Sequence, residues 1–422
     1  MTYQPLACSA AALGHQRDWA RTLRSQLSDG APYVFVNADT PHEIFHHFDI
    51  PVVVNQWWSS VIAAKKLATH HLDRAVEIGF HDGLAKYSAL PLIAAMEGNP
   101  ETQPWGGLPE PALLCSRASA DDHSRIFTHW ARLTGARHVI FHAPHPDRNR
   151  PDWWTAVREG WEDHHGTARL DLMQRQIGEV IAQLEDLTGR AYDPGEFAAY
   201  MDRIDRQERI FEEVSQMIAG AERMPVRIGE QIPNVMLPQW HRGSDWSLAH
   251  AARFRDEVAQ RIAEGSAVCP QEEVRMMWIG AGLWFDTSFY TAFEDLGAPF
   301  VWSMYLPFAA DGYIRRDHGD PLRTLAARVI SMNEQLHLPI WAEGWLAKQA
   351  RDYRADLAVI LIPEADRPSA HGTRFIAHEL RNQGVEVVEI VSDMVDPRKW
   401  RGDLAKQAVA DGIARVKSRK SR

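Results

Sequence analysis

The sequence predicts an α/β protein: two Rossmann-like lobes, each carrying a short parallel sheet, with a helical connecting region between them. Three observations lead there. Short apolar runs recur along the chain, helical text separates them, and the alternation stops once in the middle before starting again. A run that is apolar at every position is a strand buried on both faces, and such strands joined by helices form parallel βαβ units.

In the first lobe, strands are expected at 33–38, 51–54, 112–116 and 138–143. A polar, Pro-containing stretch near 148–152 closes it. Helical periodicity then dominates, with long helices expected at 170–187 and 194–221. The second lobe opens with apolar runs at 274–279, 300–304, 357–362 and 385–390, each bounded by turn residues such as Gly280, Gly297, Pro363 and Gly384. The expected division is 1–160 for the first lobe, 161–272 for the helical connector and 273–422 for the second. The basic ending VKSRKSR reads as a frayed, solvated tail. Ligands of open α/β sheets gather at the carboxyl ends of the strands, which directs attention to the strand-end loops and to a cleft between the lobes.

Composition narrows the function. The chain has 422 residues, with 46 Lys and Arg against 56 Asp and Glu, a formal charge of −10. That balance argues against nucleic acid or an anionic membrane as the main partner. The opening segment lacks the basic-then-apolar order of an export signal and no apolar stretch is long enough to span a bilayer, so a cytoplasmic location is expected. Three widely spaced cysteines, Cys8, Cys115 and Cys269, give neither a disulfide framework nor a four-thiolate metal site. Sixteen tryptophans point to aromatic-lined clefts as well as core.

Several motifs carry possible chemistry. His42-Glu43-Ile44-Phe45-His46 fits HExxH, whose histidines share one helix face, but the helix is short, with Thr40 expected as its N-cap, Pro41 in its first turn and Asp49-Ile50-Pro51 at its end. Gly280-Ala281-Gly282-Leu283-Trp284-Phe285 begins like a dinucleotide fingerprint and lacks the third glycine, leaving a tight strand-to-helix turn. Asn55-Gln56-Trp57-Trp58-Ser59-Ser60 follows a strand and suits a flat or acyl ligand. His142, His145 and Asp147 end another strand, and Asp317-His318-Gly319-Asp320 reads as a turn. Cys115 reads as a small buried residue.

Taken in order, these segments resemble the component subunits of the 2-hydroxyacyl-CoA dehydratase and benzoyl-CoA reductase family. The resemblance rests on Thr40-Pro41-His42-Glu43-Ile44 with Ile50-Pro51-Val52, on Leu108-Pro109-Glu110-Pro111-Ala112 with Trp130, and on Phe141 to Pro144. It continues through the turn at Gly280, Phe293-Glu294-Asp295-Leu296-Gly297-Ala298, and Asp393-Met394-Val395-Asp396-Pro397-Arg398-Lys399-Trp400. It implies two lobes holding a [4Fe-4S] cluster by cysteine thiolates, a related sister subunit, and low-potential electrons from an ATP-hydrolysing activator for reduction of an acyl-CoA.

The chain departs from that pattern where the thiols belong. It has Ala120-Asp121 and Gly280-Ala281 at two such places, Tyr87-Ser88 at the helical one and Met304-Tyr305 at the later strand end. The expectation is therefore that this chain binds no cofactor and that any [4Fe-4S] cluster belongs to the partner. The resemblance makes Glu43 the family's helix glutamate, with His46 beside it, as proton-transfer residues. Asn55, Trp57, Trp58, Ser59, Gly280, Gly282 and Trp284 are expected to bind substrate, an aromatic or hydroxyacyl-CoA. Two alternatives stand: a non-catalytic subunit that stabilises a cluster-bearing partner, and a zinc hydrolase using the HExxH histidines.

Overall fold

A computed structural model describes residues 3–118, 121–144, 150–306, 319–336 and 342–422. The first sheet holds β1 (Val34–Val36), β2 (Val52–Val54), β3 (Leu113–Arg117) and β4 (Arg137–Phe141) in the order β2-β1-β3-β4, all parallel. The second holds β5 (Met276–Ile279), β6 (Phe300–Ser303), β7 (Leu357–Ile362) and β8 (Glu386–Val391) in the matching order β6-β5-β7-β8, again parallel. Seven of these strands coincide with predicted runs to within three residues at either end, and β7 coincides fully. The reason is physical. In the central strands β1, β3, β5 and β7 nearly every residue is buried, as layers of helix on both faces require.

Helices α1 (Ala7–Ser28), α2 (His42–His47), α3 (Asn55–Ala64), α4 (Ala68–Glu77), α5 (Lys86–Glu97) and α6 (Asp121–Thr134) precede or flank the first sheet. The middle contains α7 (Trp153–Glu159), α8 (Trp161–His165), α9 (Thr167–Thr188), α10 (Pro194–Gly220), α11 (Ile228–Trp240) and α12 (Asp245–Ala263). The long α10 begins where the sequence says it should: the Asp193 side chain accepts from the Glu196 N–H at 2.8 Å, and Pro194 occupies the first turn. The second lobe adds α13 (Pro321–Leu336), α14 (Glu343–Asp352), α15 (Arg367–Ala370), α16 (Thr373–Asn382) and α17 (Gly402–Lys420). Although first in sequence, α1 packs on α11 and α12 of the helical middle. No described helix is long and apolar enough to cross a membrane.

Three local expectations are corrected. The basic tail is not frayed, because it forms the last turn of α17. Lys417 reaches Glu273 at 2.8 Å, Arg419 reaches Glu386 at 2.9 Å and Lys420 reaches Asp356 at 2.7 Å, and cations at a helix C-terminus also meet the favourable end of its dipole. Thr40 does not cap α2: its hydroxyl donates to the Asn37 carbonyl at 2.7 Å, and Pro41 stands at the helix boundary. No helix starts after Gly280. The chain leaves β5 as an irregular loop into a short 3-10 turn, Thr287–Thr291. Gly280 adopts φ +116°, and a Cβ there would sit 3.1 Å from the Leu361 carbonyl oxygen, so the turn requires glycine.

Candidate functional site

In each sheet the inner pair of strands, β1 with β3 and β5 with β7, sends its connections in opposite directions. Their carboxyl ends form the switch point where ligands of such folds sit. The two sheets present these ends to one shared cavity of about 400 Å³. From the first lobe come Ala38 and Asp39 after β1, Gln56 and Trp57 after β2, and His123 in the first turn of α6 after β3. From the second come Gly280, Ala281 and Trp284 after β5, Met304 and Tyr305 after β6, Asp366 after β7 and Met394 after β8. Tyr87 and Ser88, at the start of α5, and Pro233, Met236 and Trp240 of α11 also line it.

Cross-lobe contacts hold this cavity together. The Lys86 ammonium lies 2.6 Å from Asp396, and Lys66 donates to the Phe285 carbonyl. The Arg398 guanidinium spans Asp73 at 2.8 Å and Asp82 at 2.9 Å. Arg117, at the end of β3, donates to the Val329 carbonyl of α13 and lies 3.7 Å from Asp39.

The wall is aromatic with a few polar tips. Trp57 stacks on Trp105 with ring centroids 6.0 Å apart and meets Trp19 edge-on at 5.5 Å. Its ring is thus fixed, and its buried indole N–H has no hydrogen-bond partner among the described residues. Opposite, Trp284 packs on Tyr305 at 5.5 Å and stands beside the Tyr87 hydroxyl. Burial pushes the Tyr305 phenol up to about 12 and raises Tyr87 as well, so both remain protonated donors.

The expected substrate residues divide. Trp57, Gly280 and Trp284 line the cavity, and Asn55, Trp58, Ser59 and Gly282 are not part of its wall. Asn55 and Ser59 instead bind the wall from behind: Asn55 Nδ2 donates to the Ser88 carbonyl at 3.2 Å and Ser59 Oγ to the Tyr87 carbonyl at 2.5 Å. Trp58 faces a separate outer pocket with Tyr33 and Trp130. His123 and Asp366 belong to no motif of the sequence, and Tyr87 and Tyr305 stood out only as the places where the resemblance expects thiols. The strand-end rule reaches three of them, since only Tyr87 follows no strand.

Glu43 and His46 do not face the cavity. Glu43 is fully buried, its carboxylate gripped by Arg242 at 2.6 and 3.0 Å, with Arg328 at 3.0 Å. Burial alone would raise its pKa, but the two guanidiniums outweigh that and hold it at about 2. His46 directs Nε2 at the Trp240 carbonyl, 3.2 Å away, and burial, then Arg242, brings it down to about 4. His42 places Nε2 3.1 Å from the Asn37 carbonyl and Nδ1 3.2 Å from Arg242. With both ring nitrogens of His42 and Nε2 of His46 so engaged, the HExxH geometry offers no pair of free donors for zinc. His142 is exposed, while His145, Asp147, Asp317 and His318 lie outside the described residues.

The cysteines do not fit an iron–sulfur cluster. Cys8 opens α1, Cys115 lies within β3, and Cys269 precedes β5, its thiol facing the Glu294 carbonyl at 3.4 Å. All three are buried and none reaches the cavity. Burial pushes Cys8 and Cys269 up to about 12 and raises Cys115 too, keeping them as thiols where a cluster takes thiolates. Meanwhile Ser88, Ala281 and Met304, at or beside places where relatives are expected to carry thiols, converge on the cavity wall.

Two switch-point sheets around one aromatic cavity define a two-lobed α/β protein. Residues 37–410 match the family described as 2-hydroxyglutaryl-CoA dehydratase, D-component, and the chain belongs to that family. A comparison with curated proteins returned no match.

Proposed function

We propose that this chain is a cluster-free subunit of a complex that processes 2-hydroxyacyl-CoA or aromatic acyl-CoA thioesters, enclosing the acyl group between its lobes. One observation carries the reading: the strand ends of both lobes converge on a single aromatic cavity whose wall bears no thiol. A flat or branched acyl group fits between the Trp57 and Trp284 rings of the wall. His123 and Asp366 reach the same space from opposite lobes. Dehydration of a hydroxyacyl thioester needs one group to take a proton and another to give one, and these two are our assignment. Glu43 enters as a positioning residue that, with Arg242, fixes α2 beneath the β1 loop. Any one-electron chemistry is assigned to a cluster-bearing sister subunit of the kind that D-component membership implies.

The test is titration of the full chain with an aromatic acyl-CoA and with free CoA, followed by tryptophan fluorescence. Quenching by the acyl-CoA at concentrations at least tenfold below those needed for free CoA supports the reading. Equal response to both would remove the acyl cavity from it. Activity of the chain assayed with and without its co-purifying subunit separates a catalytic subunit from a purely stabilising one.

A further inference from the structure

Away from the cavity, His70 and His71 on α4 meet Glu97 in the last turn of α5. His70 Nε2 lies 2.8 Å from Glu97 Oε1, and His71 Nδ1 lies 2.9 Å from Glu97 Oε2. His71 is fully buried, and its Nε2 lies 2.7 Å from the Thr102 carbonyl oxygen. A carbonyl only accepts, so Nε2 carries a hydrogen, and a neutral ring then aims the Nδ1 lone pair at a carboxylate. Two lone pairs at that separation require a proton or a metal ion between them.

We propose that His70 Nε2, His71 Nδ1 and a Glu97 oxygen bind a divalent transition-metal ion, Zn²⁺ by its ligand preference, with water completing the coordination. Candidate donor atoms of the three residues lie within 4.8 Å of one another, and tetrahedral zinc with bonds near 2 Å draws its ligands to roughly 3.3 Å apart. Small rotations of the half-exposed His70 side chain suffice for that closure. The His71 Nε2–H bond to Thr102 is the outer contact that metal-binding histidines use to fix their tautomer. Thr102 Oγ1 likewise steadies Glu97 at 3.2 Å. Among the described residues this is the only convergence of three or more metal-competent side chains. None of the three lines the cavity, so the ion acts as a staple. It ties α4 to the C-terminal end of α5, the helix whose first turn carries Lys86, Tyr87 and Ser88.

The experiment uses the full chain, freed of metal with a chelator and titrated with Zn²⁺ alone, with Co²⁺ as a spectroscopic substitute. Roughly one Zn²⁺ per chain, a raised Tm and the visible bands of a low-symmetry Co²⁺ site are expected. H70A, at an exposed position, and E97Q, an isosteric change at a largely buried one, each weaken binding by about tenfold or more while circular dichroism is unchanged, and the control H81A binds as the parent does. Absence of stoichiometric binding overturns the proposal. So does H70A or E97Q binding with parental affinity, because the ion would then sit elsewhere.

Discussion

The Glu43 carboxylate and the Arg242 guanidinium form a two-pronged ion pair, 2.6 and 3.0 Å long, from which solvent is excluded on both sides. Arg328 of α13 joins it at 3.0 Å and also binds Glu208 of α10, so one buried chain of charges ties both lobes to the helical middle. Removing Arg242 leaves two buried carboxylates, Glu43 and Glu208, to share the Arg328 cation. Arg242→Ala is expected to destabilise the fold by roughly 3–5 kcal/mol, read from urea unfolding. Glu43→Gln keeps the shape and is expected to cost stability first. If it were as stable as the parent yet inactive, Glu43 would belong to the chemistry instead.

The same region sets an acid limb. Glu43 is held at about 2 against an ordinary 4.5, so its ion pairs stabilise the fold above pH 4.5 and that contribution fades as pH falls toward 2. His46, His138 and His250 are brought down to about 4 from 6.5, chiefly by burial. The unfolded chain therefore takes up protons that the folded chain refuses between pH 6.5 and 4. Unfolding free energy is expected to rise from pH 4 to 6.5 by at least on the order of 1–3 kcal/mol, measured by urea titration across that range. A flat profile would contradict the burial of these rings.

Within the cavity, Trp57→Phe retains most of the aromatic wall, whereas Trp57→Ala removes it. Acyl-CoA affinity is expected to change by less than about threefold in the first and to fall about tenfold or more in the second, by calorimetric titration. Identical losses in both would show that the ring does not pack on the acyl group.

His123→Asn and Asp366→Asn are expected to lower kcat of the assembled complex by roughly 100-fold or more with little change in acyl-CoA affinity. Unchanged kcat in both would return proton transfer to other groups or to the sister subunit.

Gly280→Ala forces a side chain into a left-handed turn against the Leu361 backbone. A loss of at least about 1 kcal/mol is expected, with weakened acyl-CoA binding because the β5 loop forms part of the wall.

The fold was legible because buried parallel strands write themselves as short apolar runs, and all eight appear where β1 to β8 lie. The cavity was legible in part. Trp57 and Trp284 stood out as bulky residues at strand ends, but which indole turns inward depends on the helical phase of α3, and this sends Trp58 to the opposite side. Glu43 illustrates a deeper limit. Its partners Arg242 and Arg328 are about 200 and 285 residues away in sequence, so no local pattern could show that HExxH is consumed by an internal ion pair. His123 and Asp366 carried no motif beyond their place after a strand. The ordered C-terminus was hidden for a similar reason, since the acidic residues that anchor its basic turn lie on distant elements.

The most direct test is the iron and acid-labile sulfide content of the isolated chain, purified without air, together with its visible absorption spectrum. With only three buried thiols, none on the cavity wall, the chain is expected to be colourless and to carry no stoichiometric cluster. A brown preparation with a full [4Fe-4S] complement on this polypeptide alone would contradict the account.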